Sequence, residues 1–283
     1  MAQKNGGLNK VAVFISFSTI LLPSSQGGIK LPTLADLITN HPSNKNAILI
    51  PGGPTTTYGE FNDQIEKIAE ILSAAGVEKG RTVSIVLGNG LDFMITFLAV
   101  TRSGAIAAPL NSAYTSEEFK FYMEDTESQL VIIAPGADVA KQAADELNIP
   151  VAEAILDNRG QLSVSKSGSL LTARSSVSAP SEDDIALFLH TSGTTSRPKG
   201  VPLTHGNLMA SLKNIVNTYD LTEDDLAMVV MPLFHVHGLI GVSLSTMKSG
   251  GSMVIPPRFS ASNFWQIQAT TNATWYSAVP TIH

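Results

Sequence analysis

The stretch Thr82–Asn111 reads TVSIVLGNGLDFMITFLAVTRSGAIAAPLN. Its opening, TVSIVL, is a short apolar run with β-branched residues, the composition of a strand covered on both faces. LDFMITFLAVTRSG is apolar on most sides, so it predicts a largely covered helix ended by Gly104. AIAAPLN is strand-like again. Strand, helix and strand in this order form a βαβ unit, with parallel strands and a right-handed crossover.

The same alternation extends outward in both directions. Upstream, TLADLITNH after Pro32 reads as a helix and AILIP (Ala47–Pro51) as a strand. TTTYGEFNDQIEKIAEILSAAG passes from a β-prone threonine run into a helix. That helix carries Phe61, Ile65, Ile68 and Ile71 or Leu72 on one face and stops at Gly76. Downstream, SEEFKFYMEDTE predicts a helix with Ser116 as N-cap and two acids in its first turn. QLVIIAPG, ADVAKQAADELN and PVAEAIL continue as strand, helix and strand. Asp157–Asp184 is rich in serine and poor in aromatics, and reads as a long surface connection. The pattern then restarts. IALFLHT, LAMVVMP, GSMVIP and ATWYSAV are strands, separated by the helices THGNLMASLKNIVNTYD, HGLIGVSLSTMKSG and SASNFWQIQATTN.

The predicted fold is therefore α/β, with stacked βαβ sub-domains whose mainly parallel sheets are covered by helices. The expected divisions are an extension over 1–30, a first sub-domain over 31–156, the serine-rich connection over 157–184 and a second sub-domain over 185–283. The final VPTIH (Val279–His283) opens a strand-to-helix turn with no helix after it, which predicts an early stop or a fragment.

Bulk composition narrows the function classes. Of the 283 residues, 43% are hydrophobic and 15% charged, a balance that suits buried strands and not a disordered chain. A net charge of −6 argues against a general nucleic-acid binder, which needs a basic face. The absence of cysteine excludes disulfides, cysteine–zinc sites and a thiol nucleophile in this chain. At the N-terminus, Lys4 and Lys10 precede VAVFISFSTILL and then PSSQGG. This imitates a signal peptide, and it also reads as a buried strand or an extension. The apolar run is shorter than the roughly 20 residues that span a bilayer, so no integral membrane span is expected. The expected compartment is the cytoplasm, with the peroxisome an alternative for a full-length form.

The chemistry concentrates in LFLHTSGTTSRPKG (Leu187–Gly200). Thr191, Ser192, Thr194, Thr195 and Ser196 supply hydroxyls, and Gly193 and Gly200 let backbone N–H groups turn inward. Arg197 and Lys199 add positive charge, with Pro198 stiffening the arm between them. The loop follows a predicted strand and precedes a helix whose expected N-cap is Thr204, and parallel sheets collect ligands beyond their carboxyl ends. Donors, small residues and cations together suit a polyphosphate. The common P-loop pattern is absent, because Pro198 precedes Lys199 and Gly200 follows it.

HTSGTTSRPKGVPLTHGNL (His190–Leu208) resembles the phosphate-binding signature of adenylate-forming enzymes, the superfamily of acyl- and aryl-CoA synthetases, luciferases and non-ribosomal adenylation domains. MPLFHVHGL (Met231–Leu239), ATWYSAVPTIH (Ala273–His283) and APLNSAYTSEEFKFYMEDTES (Ala108–Ser128) resemble its oxalate–CoA ligase, peroxisomal coenzyme A synthetase-like branch. The resemblance covers roughly Leu31–His283. It implies a two-step reaction: a carboxylate attacks the α-phosphate of MgATP to give acyl-adenylate and pyrophosphate, and the thiol of coenzyme A then displaces AMP. ATP, Mg²⁺ and coenzyme A are the expected cofactors and co-substrates, and oxalate the expected acid. Thr191, Ser192, Gly193, Thr194, Thr195, Ser196, Arg197, Lys199 and Gly200 would hold the β- and γ-phosphates, with Lys199 the strongest cation and Arg197 second.

His235 and His237 leave three readings open. As metal ligands they would need more partners, and no cysteine or further histidine cluster is near in sequence. As structural residues they would cap or pack beside the next helix. The resemblance places His235, His237 and Gly238 at the acid substrate. His235 is then the catalytic candidate that orients the carboxylate, and His237 makes the pocket smaller and more polar. It also puts Trp275, Tyr276, Pro280, Thr281 and His283 at the pocket border. The resemblance implies a ligase present here as an N-terminal fragment incomplete for catalysis, and two other classes stand beside it: a non-catalytic truncated isoform that binds nucleotide weakly or associates with a full-length ligase, and an unrelated nucleotide-binding module.

Overall fold

The 82–111 stretch forms the expected unit: a strand Thr82–Val86, a helix Leu91–Arg102 and a parallel strand Ile106–Pro109. The computed structural model describes residues 10–12, 32–191 and 198–282. In chain order the elements begin with β1 (Lys10–Ala12), α1 (Asp36–Thr39), β2 (Asn46–Leu49), β3 (Thr55–Thr57), α2 (Tyr58–Ala74), β4 (Thr82–Val86), α3 (Leu91–Arg102) and β5 (Ile106–Pro109). Next come α4 (Ser116–Asp125), β6 (Ser128–Ile133), α5 (Asp138–Glu146), β7 (Val151–Leu156), β8 (Leu162–Lys166) and β9 (Ser169–Leu170). Then follow β10 (Ile185–Thr191), β11 (Lys199–Thr204), α6 (His205–Thr218) and β12 (Leu226–Met228). A π-helical stretch, His237–Leu244, runs into α7 (Ser245–Ser249), followed by β13 (Ser252–Val254), α8 (Ala261–Thr271) and β14 (Trp275–Ser277).

Two sheets result. Sheet A has the order β1-β14-β12-β13-β2-β3 and sheet B the order β11-β10-β5-β4-β6-β7-β8-β9. Their central strands are parallel, and antiparallel pairs occur only towards their edges. Strand order reverses about β4 in sheet B and about β12 in sheet A, because each is flanked on both sides by the next two parallel strands of its run.

Alternation along the strands sets the layers. Val83, Ile85, Leu130 and Ile132 face a core shared with α2 and α3, while Val86, Val131 and Ile133 face α4 and α5. The shared core also takes in Ile48, Ala227, Met253 and Trp275 of sheet A, with Leu208, Leu212 and Ile215 of α6. Met228 points the other way, to a cluster with Phe264 of α8. Helices therefore fill the space between the sheets and cover both outer faces. This explains α3, whose residues Phe93 to Thr101 are all buried, with Phe93 and Phe97 stacked at 6.3 Å. Burying each such ring contributes about 2–3 kcal/mol.

Each sheet draws strands from both sides of the serine-rich stretch, so the expected sub-domain boundaries do not separate the sheets. Part of that stretch is strand. Leu162 and Val164 are buried and alternate with serines in β8, which pairs antiparallel with β7. The period-2 pattern there is carried by only two apolar residues among many serines, so composition masked it. A second correction concerns α4. Thr115, not Ser116, is the N-cap, because Thr115 and Glu118 form a reciprocal capping box. Thr204 caps α6 as expected, with Asn207 as its partner. Of residues 1–30, only β1 falls within the described residues, paired with β14. Among the described residues no helix is long and apolar enough to cross a membrane.

Candidate functional site

The hydroxyl- and glycine-rich segment does not lead directly into a helix. VPLT belongs to β11, which turns back on β10 and pairs Thr191 with Lys199 and His190 with Gly200. Pro202 is tolerated there because β11 is an edge strand. Thr191 at the carboxyl end of β10 and Lys199 at the start of β11 therefore close the paired ladder on either side of the predicted phosphate loop. Ser192, Gly193, Thr194, Thr195, Ser196 and Arg197 lie outside the described residues. Thr191, Lys199 and Gly200 stand exposed at the mouth of the tip. A Cβ on Gly200 would lie 2.5 Å from the Phe188 ring, so the glycine lets that ring cross the hairpin.

The tip end of the ladder is anchored by a group that sequence reasoning missed. His190 Nε2 sits 2.9 Å from Asp125 Oδ2, at the last residue of α4. The Tyr122 ring meets the same imidazole edge-on at 4.6 Å. Asp125 is 65 positions away in sequence, so no local pattern announces the pair.

The histidine pair lies beyond the carboxyl end of β12, where the order of sheet A reverses. Such reversals open the crevices in which α/β sheets take ligands. The His237 N–H donates to His235 Nδ1 at 3.2 Å, and His237 Nε2 lies 2.8 Å from Ser277 Oγ at the end of β14. His237 is buried and His235 reaches solvent. Even so, partial desolvation by the surrounding protein lowers the His235 pKa below the ordinary histidine value. The bond accepted at Nδ1 leaves the proton of the neutral ring on Nε2. His235 can thus offer an Nε2–H to an anionic oxygen while its own charge is suppressed.

Gly238 begins the tight passage into the π-helical stretch. A Cβ there would meet the Pro232 carbonyl oxygen at 2.2 Å and that of Met231 at 2.8 Å, so only glycine fits. Asn89, in the loop after β4, reaches the same segment. Its Nδ2 donates to the Met231 carbonyl at 3.1 Å and its Oδ1 accepts from the Leu233 N–H at 2.8 Å. Asn89 and Ser277 were also missed, for the same reason of sequence distance. Trp275 is fully buried in the core between the sheets, and Tyr276 packs on Phe264. His283 lies outside the described residues.

Among the described residues, the predicted site residues therefore lie apart: Thr191, Lys199 and Gly200 on the hairpin of sheet B, His235, His237 and Gly238 past the end of β12, and Trp275 and Tyr276 on β14. Among the described residues, no group of three or more His, Asp or Glu side chains gathers as a metal site.

A family profile described as AMP-binding enzyme matches residues 35–283. The chain belongs to the AMP-binding enzyme family. Within this family it is 46% identical over 247 residues to a probable CoA ligase of Humulus lupulus, covering 85% of this chain and 47% of that protein. It is 46% identical over 262 residues to the oxalate–CoA ligase of Arabidopsis thaliana, covering 89% and 51%. The chain thus spans about half the length of the curated relatives it matches. Its fold superposes on ATP-bound MatB from Rhodopseudomonas palustris with a TM-score of 0.75 and 28% identity, over 88% of this chain and 50% of that one. The α/β architecture with helix-covered parallel sheets is that of these AMP-binding neighbours.

Proposed function

We propose that this chain carries the ATP-handling and acid-handling half of an AMP-forming acid–CoA ligase. The acid is a short dicarboxylate of the oxalate class, and coenzyme A is the thiol acceptor. The observation that carries the reading is the His235–His237–Ser277 arrangement at the switch point of sheet A. A buried imidazole tied to a hydroxyl makes a small, polar site wall, poorly suited to a long acyl chain. The oxalate–CoA ligase names of relatives in Arabidopsis thaliana and Saccharomyces cerevisiae support the same substrate class.

In this reading the hairpin tip from Thr191 to Gly200 holds the β- and γ-phosphates, with Lys199 and Arg197 as its cations. His235 donates Nε2–H to the attacking carboxylate and orients it, while its depressed pKa keeps the ring from forming a tight ion pair that would blunt the nucleophile. His237 and Gly238 shape the acid pocket.

The test is pyrophosphate exchange into ATP by the 283-residue chain, with oxalate set against aryl and fatty acids. Oxalate-dependent exchange would mean that this half carries the adenylation step, and His237→Phe should weaken oxalate use. Lys199→Ala should raise the ATP requirement roughly tenfold and leave the acid requirement nearly unchanged. Folded protein that exchanges with no acid, or a Lys199→Ala defect confined to the acid, would overturn the assignment.

A further inference from the structure

We propose that Asn89 is a positioning residue of the acid site, clamping the Met231–Leu233 backbone to the end of β4 and so holding His235 in place. The inference rests on the reading of His235 as the acid-handling residue.

The geometry is specific. A side-chain amide carries one donor and one acceptor at fixed spacing, and Asn89 uses both on the carbonyl and N–H that flank Pro232. Proline has no N–H, so Met231 and Leu233 supply the pair that a strand neighbour would otherwise engage. The bonds span 142 and 144 positions in sequence and join a loop of sheet B to a segment of sheet A. Asn89 sits where strand order reverses about β4, between Gly88 and Gly90. A Cβ on Gly90 would fall 2.3 Å from Asp92 Oδ1, so a side chain there would have to displace the Asp92 carboxylate at the start of α3.

The consequence runs directly to His235. The Pro232 carbonyl, held between the two clamped residues, accepts the His235 N–H at 3.2 Å, and the His235 carbonyl accepts the Leu239 N–H at 3.0 Å. Gly238 packs on the carbonyls of Met231 and Pro232. One asparagine thus fixes the carbonyls against which the histidine turn is built. An aspartate of the same shape could not donate to Met231, and an alanine would leave both backbone groups without this partner.

The test uses the full 283-residue chain with ring-¹⁵N histidine, as wild type, Asn89→Ala, Asn89→Ser and Asn89→Asp. The His235 signal is assigned by its loss in His235→Gln. The protonation midpoint of His235 is expected to rise towards the ordinary value in Asn89→Ala and Asn89→Asp, while His205 keeps its own. Asn89→Ser, which retains a short donor and acceptor, should move it less. The oxalate concentration that half-saturates the His235 shift should rise at least tenfold in Asn89→Ala, with the ATP concentration for thermal stabilisation changing less than twofold. An unmoved His235 midpoint in folded Asn89→Ala or Asn89→Asp would overturn the inference. If oxalate fails to perturb His235 in the wild type, the substrate reading falls, and the midpoints still decide the role of Asn89.

Discussion

The β10–β11 hairpin and the Met231–Gly238 segment both sit at the carboxyl ends of parallel strands, but they are held by different means. The hairpin is braced by an antiparallel ladder from Thr191 and Lys199 back to Ile185 and Thr204, with one register shift between Ile185 and Leu187, and it delivers the chain into a capped helix. Its order is local. The histidine segment has no ladder. It is fixed by single contacts from distant parts of the chain, Asn89 from the loop after β4 and Ser277 from β14, and by the steric fit of Gly238 within the segment. A site wall built this way depends on a few irreplaceable atoms, whereas a hairpin shares its load among many.

The sharpest way to break that comparison is Gly238→Ala. The added methyl would meet backbone oxygens that cannot rotate away, and a loss of about 3 kcal/mol or more is expected, read as a drop in the urea midpoint. Gly200→Ala meets only the end of a phenylalanine ring, which can turn, so its cost should be visibly smaller. Equal costs for the two would erase the distinction.

Next in size is an effect of pH at the joint between hairpin and helix. His205 opens α6, is buried, and accepts the Leu34 N–H at Nδ1 with 3.2 Å separation. Burial lowers its pKa to about 4, with the nearby Asp184 and Asp36 carboxylates opposing the shift. Between about 4 and the unfolded value of about 6.5, only the unfolded chain binds this proton. The neutral ring's contribution is therefore complete above about pH 6.5 and shrinks as the pH falls towards 4, by about 3 kcal/mol in all. His205→Gln should flatten the stability–pH curve in that window, as followed by urea unfolding. An unchanged slope would show that the ring titrates normally.

The smallest expected effect is Thr204→Ala. It removes the capping box at the start of α6 and should cost about 1 kcal/mol in chemical unfolding. Because the ladder stays intact, nucleotide-dependent stabilisation should persist. If that were lost together with the cap, the hairpin would be no more robust than the histidine segment.

Apolar period, strand length and cap chemistry are written within a few residues of one another. The sequence by itself therefore determined the alternation of strands and covered helices, the Thr204 cap, and the donor-rich character of 191–200. The Thr115 cap was one residue off, because Ser116 is an equally good acceptor and only the reach of Glu118 selects between them. The strand β11 was missed because Pro202 and a short apolar content speak against a strand unless it lies at an edge, and edges are a property of the whole sheet. Tertiary structure alone decided the interleaving of the two sheets and brought Asn89, Asp125 and Ser277 to the site. Those contacts join residues between 40 and 144 positions apart. Helical and strand periods reach only a few residues, so a polar side chain that meets its partner across two layers leaves no trace in the pattern around it.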